Sequence, residues 1–310
     1  MKEENGRHTL GITRRQFIAA AGGSLLATSP LPVRSDDTGM AASGYPRVAV
    51  LARWIAETLV ALGIPPVALP ELTTTDSIWR DLPLLGDTVD LGLTGEPNLE
   101  LLDQLHLDYI FVEGRFQSAR WEPLFRQIAP VVVSTIYTAA RKPLSAARAE
   151  TLRFGELLSA TVEARQLIAA TDEFLDANDK RLSTVRRPVF VMRALDDRNV
   201  MLYCGGSLFD EVLTKFGLRN ACHVSTDWGF LTAGIETLAS EPDAWIIHFD
   251  PAERGTVERP VAGNPLWLHL PAVRAQRTTS IPELYSWGAL PTARRFAELL
   301  LERLPEGLKG

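Results

Sequence analysis

The sequence contains one short pattern twice: ETLVALGI at residues 57–64 returns as EVLTKFGL at residues 211–218. A second pair follows in the same order, because NLELL at residues 98–102 is echoed by GIETL at residues 234–238, and an apolar run beginning with Asp follows each. Elements that recur in order within one chain predict two similar structural units. We therefore expect two similar lobes, with a ligand cleft between them.

Strand-like and helical patterns alternate from residue 45 onward. Helices are predicted at residues 54–62, ended by Gly63, and at residues 97–105, with Pro97 in the first turn. Because strands separated by such helices pair in parallel, the sequence predicts an α/β fold with parallel-rich sheets, arranged as two Rossmann-like lobes. The strand-like runs lie at residues 47–51, 65–69, 89–93, 109–112, 131–133, 189–192, 200–203, 245–249 and 267–270.

A region of different composition separates the two repeats. Residues 144–180 contain almost no glycine or proline, and their apolar residues recur at helical spacing. We predict one helix over about residues 144–158 and a longer one over about residues 161–183, which would join the lobes stiffly. The predicted organisation is an N-terminal lobe at residues 45–160, a connecting helix at residues 161–185 and a C-terminal lobe at residues 186–310.

Residues 1–35 are predicted to be a signal peptide of the twin-arginine type. Arg14 and Arg15 directly precede an apolar run of eleven residues, 17–27. Such a run would extend only about 16 Å as a helix, too short to span about 30 Å of hydrocarbon. Paired arginines before a short apolar run direct export. We therefore expect a protein of the bacterial periplasm.

Composition excludes some partners. The formal net charge is −6, and without residues 1–35, which hold five basic and two acidic residues, it is about −9. An acidic chain is poorly suited to nonspecific binding of nucleic acid or anionic lipid, so we expect no nucleic-acid partner. After export, Cys204 and Cys222 could form a disulfide or remain free buried thiols.

The sequence lacks the common catalytic and metal-binding motifs. It has no P-loop, no Gly-x-Ser-x-Gly elbow, no His-x-x-x-His pair and no Cys-x-x-Cys pair. We therefore expect no catalytic residue, no metal ligand and no cofactor, and a binding protein rather than an enzyme. The alternatives are a hydrolase that pairs Ser207 with His223 or His248, and a pure interaction module that binds no small molecule.

Aromatic residues cluster where predicted strands meet predicted helices. Ligands bind at such junctions in parallel α/β folds, and rings there give large apolar contact with little loss of entropy. Any one ring could instead pack in the core, but six together favour a ligand site. The six are Trp54, Trp79, Phe116, Trp228, Tyr285 and Trp287.

Four segments resemble a known family: GLTGEPNLE at residues 92–100, SLF at 207–209, WG at 228–229 and NPLW at 264–267. They are similar to the ferric-hydroxamate periplasmic binding proteins, in the iron-siderophore and vitamin B12 class of ABC importer binding proteins. The resemblance implies class III architecture, with two lobes joined by one long α-helix and a shallow aromatic cleft. It also implies that the protein delivers a ferric siderophore, of hydroxamate type, to the permease of an ABC importer. Iron would arrive inside the ligand, and we expect a monomer.

The resemblance assigns roles to individual residues. The six aromatic residues would form the wall of the cleft, while Thr94 and Phe116 stand where the family has an arginine and a tyrosine that contact the ligand. Arg115 and Arg193 are candidates for the missing cation, because an arginine fork suits oxygen-rich ligands. Since Thr94 departs from the family pattern, another siderophore, haem or a corrinoid is the alternative ligand.

Glu100 and Glu236 occupy equivalent places in the two repeats, each in the first turns of a predicted helix. The resemblance implies that they pair with arginines of the membrane permease, one from each lobe. The alternative is a pair of glutamates without a partner, because the helix dipole alone favours a carboxylate at this position.

Overall fold

Within the residues that the structure describes, two five-stranded sheets form the framework, one in each half of the chain. The computed structural model describes residues 45–73, 79, 82–114, 118–250 and 259–304. The strands are β1 (Val48–Val50), β2 (Ala68–Leu69), β3 (Val89–Asp90), β4 (Gly92–Leu93), β5 (Glu96–Pro97), β6 (Tyr109–Glu113), β7 (Val131–Ser134), β8 (Val189–Ala194), β9 (Asn199–Tyr203), β10 (Phe230–Gly234), β11 (Trp245–Asp250) and β12 (Thr278–Pro282).

Helices connect the strands in both halves, and a 3-10 helix at Ile235–Ala239 follows β10. The α-helices are α1 (Arg53–Ala61), α2 (Leu99–Gln104), α3 (Ser118–Phe125), α4 (Pro143–Leu157), α5 (Thr161–Ala177), α6 (Leu208–Lys215), α7 (Arg259–Ala262), α8 (Pro265–His269), α9 (Pro271–Arg274) and α10 (Leu290–Arg303).

In both sheets the central strand pairs with at least one neighbour in parallel. The first has the strand order β3-β2-β1-β6-β7, and all neighbouring strands in it are parallel. The second has the order β10-β9-β8-β11-β12, in which β8, β11 and β12 run parallel and β9 is antiparallel to both of its neighbours. A short hairpin of β4 and β5 turns at Thr94 and Gly95. The predicted α/β class with parallel-rich sheets in two lobes is confirmed.

The repeated sequence stretches form helices that end in the same way. α1 and α6 each stop before a glycine in the left-handed region, with φ of +78° at both Gly63 and Gly217. In each case the residue after the glycine donates its N–H to the carbonyl five residues earlier, at 2.9 Å. This closure needs a backbone conformation that side chains disfavour, which explains why glycine recurs at the same place.

The connection between the halves contains two helices, and the second is shorter than predicted. α4 matches the helix predicted at about residues 144–158, whereas α5 ends at Ala177 rather than near residue 183. Beyond it, the Lys180 N–H donates to the carbonyl of Lys215 at 2.9 Å. The chain leaves the helix to pair with the end of α6, a tertiary contact that helical periodicity cannot predict. The lobe boundaries stay predictions.

Two local predictions were wrong. Residues 267–270 were expected to be a strand, but they belong to α8 and the turn after it, because Asn264 caps that helix by accepting a backbone N–H at 2.8 Å and Pro265 lies in its first turn. Pro97 ends β5 rather than starting a helix, and Asn98 caps α2 by accepting an N–H at 3.0 Å. In both cases asparagine is the residue that marks where the helix begins.

Cys204 and Cys222 form a disulfide, with their Cα atoms 5.1 Å apart. It joins the residue after β9 to the segment that leads to Trp228. A backbone hydrogen bond from the Cys204 N–H to the Gly229 carbonyl, at 2.8 Å, supports the same segment from its other end. The disulfide is therefore the alternative that the structure adopts, and it anchors the loop that carries Trp228.

The predicted signal segment at residues 1–35 lies outside the described residues. Among the helices that the structure does describe, none combines the length and the apolar character needed to cross a membrane.

Candidate ligand-binding site

A cavity of about 390 Å³ lies between the two halves of the chain and takes its lining from both. The first half contributes residues at the ends of β1 and β6, at the hairpin turn and on α3, and the second half contributes three aromatic residues. The cavity thus lies at the carboxyl ends of parallel strands, the place where ligands bind in open α/β sheets. The lining residues are Leu51, Ala52, Arg53, Trp54, Thr94, Gly95, Glu113, Arg120, Trp121, Tyr137, Trp228, Tyr285 and Trp287.

Trp54 and Glu113 form a buried pair on one side of the cavity. The indole N–H of Trp54, in the first turn of α1, donates to Glu113 Oε2 at 2.6 Å. The Trp54 side chain is 2% exposed and stacks on Phe154, with ring centroids 5.9 Å apart. Glu113 ends β6 and is buried as well. The pair ties the start of α1 to the neighbouring strand, so this side of the cavity is held rigidly.

A buried carboxyl group, Glu57, lies one turn along α1 from Arg53. Burial raises the pKa of Glu57, while hydrogen bonds from Ala289 and Thr292 and the charge of Arg53 act in the opposite direction. The Arg53 guanidinium carbon lies 5.9 Å from the centroid of the Tyr285 ring. Burial also raises the pKa of Tyr285, and the nearby Glu57 adds to that shift. The Tyr285 phenol therefore stays protonated and can donate a hydrogen bond to a ligand.

The second half presents an aromatic wall. Trp287 packs edge-on against Tyr285, with ring centroids 5.9 Å apart, and against Phe230 at 5.6 Å. Tyr137, from the first half, donates its hydroxyl to the carbonyl of Gly288 at 3.2 Å. The loop that carries Tyr285 and Trp287 is thus held by a residue of the opposite half, which fixes the rings across the cleft.

Arg120 and Trp121 occupy the exposed side of the cavity. The Trp121 indole N–H donates to the carbonyl of Gly95 at 3.0 Å, and its ring stacks on the buried Phe125 with centroids 6.2 Å apart. The guanidinium carbon of Arg120 lies over the Trp121 ring, 4.7 Å from its centroid. α3 therefore places one cation and one ring beside the hairpin turn that holds Thr94.

The structure brings five of the predicted ligand-binding residues together. Trp79 is not among them: it is 1% exposed, and its indole N–H donates to the carbonyl of Pro70 at 2.5 Å, so it packs in the core. The five that line the cavity are Trp54, Thr94, Trp228, Tyr285 and Trp287.

Of the two arginines predicted to replace the family's ligand-binding arginine, the structure describes only Arg193. Arg193 forms an ion pair with Glu283 at 3.0 Å and is not part of the lining. Arg115 and Phe116 lie outside the described residues. The ligand contacts of all predicted site residues stay predictions.

Eight lining residues were not predicted, and five of these have a charged or aromatic side chain. Arg53 and Glu113 come two residues and one residue after predicted strands, so their position near strand ends was an available signal. Arg120 and Trp121 lie on α3, which the sequence pattern did not indicate, and Tyr137 reaches the cavity from the loop after β7. No sequence signal places these three at the cavity, because the tertiary fold alone brings them there.

Ser207, the candidate nucleophile of the alternative hydrolase, caps a helix. Its Oγ accepts the Asp210 N–H at 3.0 Å at the start of α6. His248 is buried on β11, where burial lowers its pKa to about 4, and His223 pairs with Glu241 at 2.8 Å. None of the three candidates lines the cavity. No group of three His, Cys, Asp or Glu side chains in the described part of the chain is placed to hold a metal ion.

Glu100 and Glu236 are both exposed. Glu100 lies in the first turn of α2, and Glu236 lies in the first turn of the 3-10 helix after β10. Each is therefore accessible to a partner, one in each half of the chain.

Comparison with known proteins identifies the family. Residues 48–285 match the family described as periplasmic binding protein. The chain is 30% identical to the iron(3+)-hydroxamate-binding protein FhuD of Escherichia coli (strain K12), over 93% of this chain and 95% of that protein. It is 26% identical to the achromobactin-binding periplasmic protein of Dickeya dadantii (strain 3937), over 85% and 86% of the two chains.

A solved structure of a siderophore binding protein has a similar fold. The Fe3+–Desferal-bound siderophore binding protein FhuD from Vibrio cholerae has a TM-score of 0.74 and 26% identity, over 83% of this chain and 97% of that chain. The chain belongs to the periplasmic binding protein family.

Proposed function

We propose that this member of the periplasmic binding protein family captures a ferric siderophore of the hydroxamate type and delivers it to an ABC importer. The observation that carries the proposal is the cavity between the halves, where Trp54, Trp228, Tyr285 and Trp287 meet. Similarity to an iron(3+)-hydroxamate-binding protein and to an Fe3+–Desferal-bound structure supports the ligand class.

The chemistry of the lining suits such a ligand. A ferric siderophore presents apolar backbone atoms around a core of iron-bound oxygen atoms. Aromatic rings supply large contact area to the former, and guanidinium and phenol groups donate hydrogen bonds to the latter. Iron is cargo in this proposal and arrives already coordinated by the siderophore, so no protein side chain needs to bind it.

Export and docking complete the proposal. Residues 1–35 would act as a twin-arginine signal that sends the protein to the periplasm, where the protein acts as a monomer. Glu100 and Glu236, exposed in the two halves, would pair with basic residues of the permease. The protein would bind its ligand without chemical turnover, in keeping with the helix-capping role of Ser207.

Titration of the exported form, followed by tryptophan fluorescence, tests the proposal. Saturable quenching by ferrichrome, with none by iron-free ferrichrome, is the expected result, because rings that line the cavity would contact the ferric complex. Ferric achromobactin, a ferric catecholate and haem test the alternative ligands, the first of which is favoured by the achromobactin-binding relative. Absence of quenching by every ferric siderophore would overturn the proposal.

The hydrolase alternative is tested on the same ligands. Mass spectrometry of ferrichrome after prolonged incubation should recover it unchanged, and Ser207→Ala should bind it with unchanged affinity. Loss of the ligand in the presence of the wild-type protein but not of the variant would favour the hydrolase instead.

A further inference from the structure

Among the described residues, the charges that line the cavity do not balance. The described lining contains two guanidinium groups, on Arg53 and Arg120, and one carboxyl group, on Glu113. Arg53 lies one turn before Glu57 on α1, and its charge acts to lower the pKa of that carboxyl group. Among the described residues, Arg120 forms no ion pair, and its side chain is exposed. The cation of Arg120 is therefore available to a ligand.

Arg120 is also held in a defined place. Its guanidinium carbon lies 4.7 Å from the Trp121 ring centroid, a distance at which the ring face attracts a cation. Trp121 is fixed in turn by its hydrogen bond to the Gly95 carbonyl, at 3.0 Å, and by stacking on the buried Phe125. A guanidinium ordered before binding loses less side-chain entropy when the ligand arrives.

The Arg120 guanidinium and the Trp121 ring beneath it lie at the cavity. Trp121 contacts the turn of the β4–β5 hairpin, and Thr94, Gly95, Arg120 and Trp121 all line the cavity. On the opposite half the lining consists of the rings of Trp228, Tyr285 and Trp287. Arg120 thus supplies a positive charge to a site whose far wall is aromatic.

We propose that Arg120 is a specificity-determining residue that donates hydrogen bonds from its guanidinium to the iron-bound oxygen atoms of the ligand, and that Trp121 is the positioning residue that holds it there. This inference rests on the proposed function. The hydrogen bonds to the iron-bound oxygens would then come from α3, because Thr94, at the hairpin turn, carries no charge. Oxygen-rich ferric complexes, in which the oxygens carry negative charge, are the matching ligand class.

Ferrichrome titrations of Arg120→Gln and Arg120→Lys test the proposal. Arg120→Gln should raise the Kd about ten- to hundredfold, because a charge-assisted hydrogen bond is lost while the side chain keeps much of its length. Arg120→Lys keeps the charge without the planar fork and should give an intermediate Kd. Wild-type affinity should weaken as ionic strength rises, and this dependence should flatten in Arg120→Gln, which a purely structural role would not cause.

Arg126→Gln is the matched control. Arg126 follows the same helix, pairs with Glu122 at 2.6 Å and does not line the cavity, so its loss should leave the Kd and its salt dependence unchanged. Trp121→Leu removes the ring that holds Arg120 and should weaken binding. In the Arg120→Gln/Trp121→Leu double variant, the loss of binding free energy should be smaller than the sum of the two single losses. Thermal unfolding confirms that each variant is folded.

The outcomes separate this inference from the proposed function. If wild-type protein binds no ferric siderophore, the proposed function fails. If wild-type protein binds ferrichrome and folded Arg120→Gln binds it with the same Kd, the proposed function stands and the role of Arg120 is overturned. Additive effects of Arg120→Gln and Trp121→Leu would overturn the positioning role of Trp121 alone.

Discussion

Glu57 on α1 accepts hydrogen bonds from the Thr292 hydroxyl on α10, at 3.0 Å to Oε1 and 2.8 Å to Oε2, and so joins these two helices. The Ala289 N–H at the start of α10 donates to the same carboxyl group at 2.5 Å. Glu211, at the matching position of the repeated stretch, accepts the N–H of Leu144 at the start of α4, at 2.6 Å. Each repeat therefore places a glutamate at the N-terminus of a helix in the opposite half, where backbone N–H groups and the helix dipole favour an acceptor.

Replacement of Glu57 should destabilise the fold. Glu57→Ala leaves the N–H of Ala289 and the hydroxyl of Thr292 buried without their acceptor, so the free energy of unfolding should fall by about 3 kcal/mol. Glu57→Gln keeps one acceptor oxygen and should cost about 1 kcal/mol. Urea unfolding measures both losses. Glu156→Ala, which removes an exposed glutamate of α4, is the control and should change stability by less than about 0.5 kcal/mol. A loss in Glu57→Ala no larger than in this control would contradict the role of the carboxyl group.

The disulfide between Cys204 and Cys222 should contribute strongly to stability. It closes a loop of 18 residues, so Cys204→Ala/Cys222→Ala should lower the free energy of unfolding by about 3 kcal/mol through gain of unfolded-state entropy. Because the bond anchors the loop that leads to Trp228, ferrichrome affinity should weaken as well. A thiol reductant should produce the same shift in the wild-type protein and none in the double variant. Equal stability with and without reductant would show that the bond does not contribute.

Trp79 and Trp228 should respond to substitution in opposite ways. Trp79→Phe removes a buried hydrogen bond to Pro70 and should lower stability by about 1 to 2 kcal/mol with the ferrichrome Kd unchanged. Trp228→Leu removes a ring from the cavity wall and should raise the Kd about tenfold with little change in thermal stability. Unfolding and titration of the two variants side by side measure both quantities. An increase of the Kd in Trp79→Phe would instead support the ligand contact expected from sequence.

This contrast shows what the sequence could and could not predict. Trp79 and Trp228 look alike in sequence, because both are rings near a strand–helix junction, and only the tertiary fold buries one and leaves the other on the cavity. The helix ends at Gly63 and Gly217 were predictable because a local backbone conformation requires glycine there. Arg120 could not be found in this way, since its importance depends on contacts between α3 and a distant hairpin.

His248 should make the protein less stable in acid. Burial lowers its pKa to about 4, from 6.5 in the unfolded chain, although Asp250 acts in the opposite direction, and the His248 Nδ1 atom has no hydrogen-bond partner among the described residues. The unfolded state therefore binds a proton at a higher pH than the folded state does. Stability should decline as the pH falls from about 6.5 to about 4, by up to about 3 kcal/mol.

His248→Leu isolates this contribution. Urea unfolding at several pH values should show a wild-type stability that falls more steeply in this window than that of the variant. The raised pKa of Glu57 acts with the opposite sign, because its neutral form is favoured on folding, and it is present in both proteins. Parallel pH profiles for the two proteins would assign the acid sensitivity to other groups.

Charge reversal at Glu100 and Glu236 should separate transport from ligand binding. If both carboxylates pair with basic residues of the permease, Glu100→Arg/Glu236→Arg should bind ferrichrome with the wild-type Kd but fail to support uptake of the iron-loaded ligand by cells that lack the native protein. Each single variant should retain part of the uptake, because the other half can still dock. Asp103→Arg, which reverses an exposed charge on the same helix α2 as Glu100, is the matched control and should transport normally. Normal uptake by the double variant, or an equal defect in Asp103→Arg, would show that these two glutamates do not form the docking contacts.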